Sequence, residues 1–104
     1  MPTKIDKNRR IVCAANKCDE FLILGARHWD HIMRRHYDLL ELRLEMPAHE
    51  KFEQGFLNTW GEFLNRKDAW IVACHNEQIL QYVGNQSEFD LGVYGAELFS
   101  ENLY

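Results

Sequence analysis

The chain has little proline and glycine: two and six among 104 residues, too few for a long linker. It has three cysteines, Cys13, Cys18 and Cys74, an odd number that describes no disulfide framework. No C-x-x-C pair, H-E-x-x-H helix, G-x-S-x-G elbow or Gly-rich phosphate loop is present, so the familiar zinc, hydrolase and mononucleotide patterns have no foothold. No apolar run approaches the roughly 20 residues that span a membrane. The basic start, Met1 to Arg10, has no apolar signal core behind it. Positive charge is also in deficit. The formal net charge of -4 argues against duplex nucleic acid and membrane surfaces as main partners. A small anion held by a few local arginines is still compatible with it. These absences lead us to expect a cytoplasmic protein whose reduced thiols serve as small apolar groups, with no metal and no cofactor.

What is there suits a single domain, residues 1–104, with residues 1–9 as a polar lead-in. The hydrophobic share of 46% and the aromatic share of 12% are enough for a core. Ile11–Ala15 and Phe21–Leu24 are short apolar runs across the turn residues Asn16–Asp19, the pattern of a β-hairpin. From Asp30 the spacing of Ile32, Met33, Tyr37, Leu40 and Leu44 becomes helical, and Met46-Pro47 closes that element. Phe52–Glu62 holds three aromatics and two glycines and reads as irregular chain or short strands with a turn at Trp60-Gly61. Asn65 is a good helix cap with Asp68 three residues on, so a second helix is expected through Ala73 towards Asn76. Gln78–Val83 reads as extended, Asn85–Asp90 as polar loop, and the tail Leu98–Tyr104 as apolar enough to dock. The fold class is therefore α+β, a small antiparallel sheet with about two helices.

The most concentrated chemistry lies at Gly25-Ala26-Arg27-His28-Trp29-Asp30. Arg27 can grip an anion with two parallel N–H groups, Trp29 offers a flat face, and Asp30 can cap the helix that follows. The same residues also describe an ordinary strand–turn–helix corner with an exposed Arg and a core Trp. Arg27, His28 and Arg66, with Arg34 and Arg35 as further candidates, supply cationic donors, and Phe56, Trp60 and Phe63 supply stacking surfaces of the kind that hold a base. Phe56 and Phe63 could equally be core.

Taken together, Arg27-His28-Trp29-Asp30, Gln54-Gly55-Phe56, Gly61–Ala69, Gln78-Ile79 and the ending Leu98–Tyr104 resemble a family of small phage proteins, the Thoeris anti-defence signal sponges. The resemblance covers most of the chain from Ile11 onward. It implies a non-enzymatic protein, in the host cytoplasm if phage-encoded. Such a protein holds a cyclic ADP-ribose isomer intact between protomers of a dimer or hexamer, and some members also bind cyclic oligonucleotides. By motif it implies ligand contacts from Arg27, Phe63 and Arg66. His28 and Phe56 join them as candidates. Asn76 does so against a departure, since Asn76-Glu77-Gln78 lacks the Gly of the family's turn. Arg34–Lys51 diverges and transfers nothing. Two other readings stand beside this one: an accessory phage protein that works by protein–protein contact, and a small hydrolase of a nucleotide signal using His28 or His75.

Overall fold

The computed structural model describes residues 10–104. Within them the chain runs β1 (Ile11–Cys18), β2 (Phe21–Gly25), α1 (His31–Glu41), β3 (Glu53–Asn58), β4 (Phe63–Asn65) and α2 (Arg66–His75). The four strands form one antiparallel sheet in the order β2-β1-β3-β4, giving an α+β domain. The lead-in, residues 1–9, lies outside the described residues.

The turns follow from local chemistry. Asp19 takes a left-handed conformation with φ 52°, which Asp tolerates better than most residues, and closes the β1–β2 hairpin so that Cys18 pairs with Phe21. In the β3–β4 hairpin the buried Asn58 carries the turn. Its side-chain oxygen accepts from the Trp60 and Glu62 N–H groups at 3.0 and 2.9 Å, and Gly61 supplies φ 76°. The aromatic Gly-rich stretch is thus ordinary hairpin.

Both helices pack on one face of the sheet. By strand alternation and register, Ala14, Ile23 and Phe56 share that face, and all three join Met33, Tyr37, Trp70, Ala73 and Leu98 in the core. Trp70 and Phe56 are fully buried, each burial worth about 1.5–3 kcal/mol or more. Five consecutive residues of α2, Ala69–Ala73, are buried, as expected of a helix packed all round. Asp30 caps α1, its carboxylate accepting from Met33 N–H at 2.8 Å. The expected stripe is corrected here. Only Met33 and Tyr37 are buried, while Ile32 and Leu44 face outward and the helix ends at Glu41, before Met46-Pro47. α1 rests mainly on the five-residue strand β2, too narrow a support to cover a wider stripe. Gln78–Val83, read as extended, forms no named strand. The Gln78 side chain instead bonds the Ile11 backbone in both directions at 2.9 Å.

The other face of the sheet carries Lys17, Leu22, Leu24, Leu57 and Phe63 by the same alternation. Phe63 lies against Gly55. A Cβ on Gly55 would run into the Leu64 carbonyl oxygen and come within 2.5 Å of the ring, so only glycine fits.

Candidate functional site

Arg66 opens α2, and Asn65 caps that helix by accepting from Asp68 N–H at 2.8 Å. The position aims the guanidinium across the sheet towards β3 and the C-terminal tail. Nη1 donates to the Leu98 carbonyl at 2.6 Å, Nη2 donates to Gln54 Oε1, and the Phe99 ring lies 4.8 Å from Cζ. The Leu98 N–H donates back to the Arg66 carbonyl at 2.9 Å, so tail and helix are tied both ways.

His28 stands beside this group. Its Nε2 is 2.7 Å from the Gly55 carbonyl, which can only accept, so Nε2 carries the proton. Nδ1 is then the acceptor, facing Arg66 Nη2 and Ser100 Oγ at 3.4 Å each. The ring meets Phe56 edge-on at 5.0 Å. Burial lowers the His28 pKa below its ordinary value. The Gly55 carbonyl opposes that effect and the Arg66 cation adds to it, so the neutral ring is favoured.

Arg27 is outside this cluster but next to it. Its Nη1 pairs with Glu101 at 3.0 Å, both side chains nearly half exposed, and its guanidinium lies 5.9 Å from the Tyr104 ring. Trp29, the expected flat face, is engaged by the fold. His49 stacks on it at 4.3 Å, Tyr37 and Phe52 meet it edge-on, and its indole N–H reaches the buried Asn16 at 2.9 Å in the amide orientation that satisfies Asn16. These contacts hold Trp29 at φ 51°, a conformation non-glycine residues adopt at a cost of order 1–3 kcal/mol.

The structure therefore brings His28, Phe56 and Arg66 together, with Arg27 one residue away. Phe63 stands on the opposite sheet face, where Lys17 Nζ lies 5.8 Å from its ring. Asn76 is at the far end of α2, about 15 Å away by helix rise, where its amide donates to the Val72 carbonyl. Arg10, His75, Asn76 and Glu77 line a separate cavity of about 290 Å³ there. Gln54, Leu98, Phe99 and Ser100 complete the Arg66 cluster. They were in view as motif residues, yet nothing local announced that they meet. Beside Arg66, a cleft of about 310 Å³ wraps the sheet end, lined by Glu53, Gln54, Asn65, Arg66, Lys67 and Glu97.

Residues 10–104 match the sequence model of the phage T4 y16D protein family, which is nearly the whole chain. The chain belongs to that family. The membership gives a phage origin without an activity. No curated protein and no solved structure matches the chain.

Against this y16D background two chemical points stand out. Among the described residues no carboxylate pairs with Arg66: its partners are a carbonyl, an amide, an imidazole and a ring, while Glu97 and Glu101 favour the cation only through their field. Burial lowers its pKa, but a guanidinium stays charged in proteins, so a positive charge is held against neutral acceptors at the edge of a cleft. Second, Ser100 and His28 sit at serine–histidine distance, but Ser100 is only 2% exposed, so its hydroxyl meets the protein and not a substrate. Among the described residues no three of His, Cys, Asp and Glu converge as a metal site requires, and no helix is long and apolar enough to cross a membrane.

Proposed function

We propose that this phage protein binds and sequesters a cyclic nucleotide signal, a cyclic ADP-ribose isomer or a related cyclic nucleotide, without cleaving it. The observation that carries the reading is Arg66. A half-buried guanidinium whose bonds all go to neutral acceptors keeps its charge for an anion, and a pyrophosphate is such an anion. Lys67 adds a second cation at the rim of the same cleft, which Glu53 and Glu97 also line. The motif stretches that carry the sponge resemblance supply Gln54, Arg66, Leu98, Phe99 and His28 to one cluster, which supports a shared purpose for them. Phe63 lies two residues from Asn65 on the outer face, where a base could stack for about 1–3 kcal/mol. A second copy covering that face would complete the pocket, so self-association belongs to the proposal.

The test is retention and release. Purified protein is mixed with a cyclic ADP-ribose isomer, freed of unbound material and heat-denatured, and the supernatant is weighed by mass spectrometry. Intact ligand at the starting mass supports sequestration. A product mass supports the hydrolase reading instead, and no retained ligand sinks both.

A further inference from the structure

Beyond Lys67 the chain contains no Lys or Arg, whereas Asp68, Glu77, Glu88, Asp90, Glu97 and Glu101 all follow. The same region displays large apolar side chains: Phe89 is 83% exposed, Leu80 72% and Tyr94 56%, with Leu91 and Val93 also exposed. A solvated loop is expected to show the reverse composition.

The loop is not loose. Gln86 ties its base, donating to the Glu97 carbonyl at 2.7 Å and accepting from Asn102 at 2.6 Å. Its middle is pinned by the buried Trp70, whose indole N–H donates to the Asp90 carbonyl at 2.9 Å. Ser87 and Asp90 cap the short turn between them. With Asp90 fixed from below, Phe89 and Leu91 are held outward instead of folding in. Beside them is a cavity of about 410 Å³, lined among others by Val83, Gln86, Asp90, Gly95, Ala96 and Phe99. A loop with close ends, a fixed frame and an apolar crown has the anatomy of a recognition loop.

We infer that the surface formed by residues 80–97 docks a cationic, amphipathic segment of another protein, with Phe89 as the central anchor and Glu88, Asp90 and Glu97 as its charged border. Charge decides the occupant. A second copy pairing through this same face would bring one acidic border against the other, and like charges across an interface oppose association. A Lys-rich segment with apolar residues between its charges satisfies both the acids and the crown. This surface adjoins the Arg66 cleft, Glu97 lining both, and is tested without nucleotide.

The probe is a labelled Lys/Leu peptide of helical periodicity, titrated with the full chain by fluorescence anisotropy. A Glu/Leu peptide of the same pattern is the control. The Lys/Leu peptide is expected to bind and to weaken in high salt, and the Glu/Leu peptide to stay free. Phe89→Ser should weaken binding by about tenfold or more with an unchanged melting curve. Leu42→Ser, which alters an equally exposed residue after α1, should change it by less than about twofold. If Phe89→Ser melts early, Glu88→Lys replaces it with the same expected loss. Equal affinity in the loop variants, or equal binding of both peptides, overturns the inference. So does sedimentation showing a dimer that Phe89→Ser dissociates, or displacement of the probe by a peptide of residues 1–10. Either result would make the occupant this chain itself.

Discussion

Replacing Arg66 by Ala asks one residue about both stability and binding. The side chain makes two hydrogen bonds from a charged donor, to the Leu98 carbonyl and to Gln54, and packs on Phe99. Hydrogen bonds to charged groups contribute about 1.5–3 kcal/mol each. A partly exposed cation–π contact adds about 0.5–1 kcal/mol. The three share one group and are not additive, and water can reach the half-exposed site once the side chain is gone. We therefore expect a loss of about 2–4 kcal/mol, a large part of the 5–15 kcal/mol typical of a domain of about this size. Urea unfolding would show it as a lower midpoint at constant slope. Because Leu98 N–H donates to the Arg66 carbonyl, hydrogen exchange at Leu98 should accelerate more than at Ala73 in the middle of α2. Arg66→Lys keeps the charge and loses the fork, so it should cost about half as much stability. If the cleft holds a phosphate, Arg66→Lys also weakens binding of a cyclic ADP-ribose isomer by about tenfold or more in calorimetry. A change in stability within about 0.5 kcal/mol for Arg66→Ala, the level of an ordinary surface substitution, would refute the structural part. Unchanged affinity in a folded Arg66→Lys would refute the binding part.

Three other outcomes follow from the same geometry. His28 has a folded pKa below its ordinary 6.5, so below that pH the unfolded chain takes up a proton that the folded chain resists. Stability should fall as the pH drops from above 6.5 towards the folded pKa, and His28→Gln should flatten the melting temperature between pH 7.5 and 5.5. Asp30 does not enter this window. Burial acts to raise its pKa, but hydrogen bonds from the Met33, Arg27 and Ala26 N–H groups outweigh that and lower it, so its contribution is lost only as pH falls below 3.8 towards its folded value. Gly55→Ala should destabilise by about 3 kcal/mol or more, since the new methyl meets the Leu64 carbonyl and the Phe63 ring. A urea midpoint close to that of the unaltered chain would show that the β4 backbone and the ring both have room to move. Arg27→Ala breaks a half-exposed ion pair with Glu101 and a contact with the Tyr104 ring and should shift stability by about 1 kcal/mol or less, so any large loss of ligand affinity in that variant would belong to binding.

The parts of the fold legible in the sequence were those decided within a few residues. Asp30 and Asn65 each announce a helix start because a short polar side chain reaches the N–H three positions on, and both do so here. The two apolar runs from Ile11 and Phe21 pair as a hairpin, but its turn is Asp19-Glu20 alone: Asn16–Cys18, read as turn residues, continue β1 and pair with Phe21–Ile23. Residues 78–104 resisted reading for the opposite reason. They have no period, and bonds to distant residues hold them: Gln78 to Ile11, Trp70 to Asp90, and Asn102 to Gln81 and Gln86. Asn102 is fully buried at the centre of that network, yet in the sequence it is one polar residue in a tail.

The candidate site divides along the same line. The chemistry of His28 and Arg66 was visible, but their meeting was not, because Gln54 and Leu98–Ser100 reach them only through the fold. Phe56 and Phe63 make the point most sharply. Both are aromatics in one hairpin, and composition cannot tell them apart. Register does: Phe56 pairs with Leu64 and Ala14 on the helix side, whereas Phe63 pairs with Leu57 and falls on the outer side. A strand of only three residues shows no alternation of its own, so its faces are fixed by its partner. A slip of one residue would bury Phe63, expose Leu64 and put the aromatic ring on Arg66's side of the sheet. The observed register leaves a buried Phe56 that can serve only packing and an outer Phe63 that remains available to stack. Of the two, only Phe63 can lose its ring without opening a core cavity. Phe63→Ala should therefore cost far less stability than Phe56→Ala, for which about 3–5 kcal/mol is usual. Urea midpoints of the two variants decide this, and equal losses would mean that the two faces have been assigned wrongly.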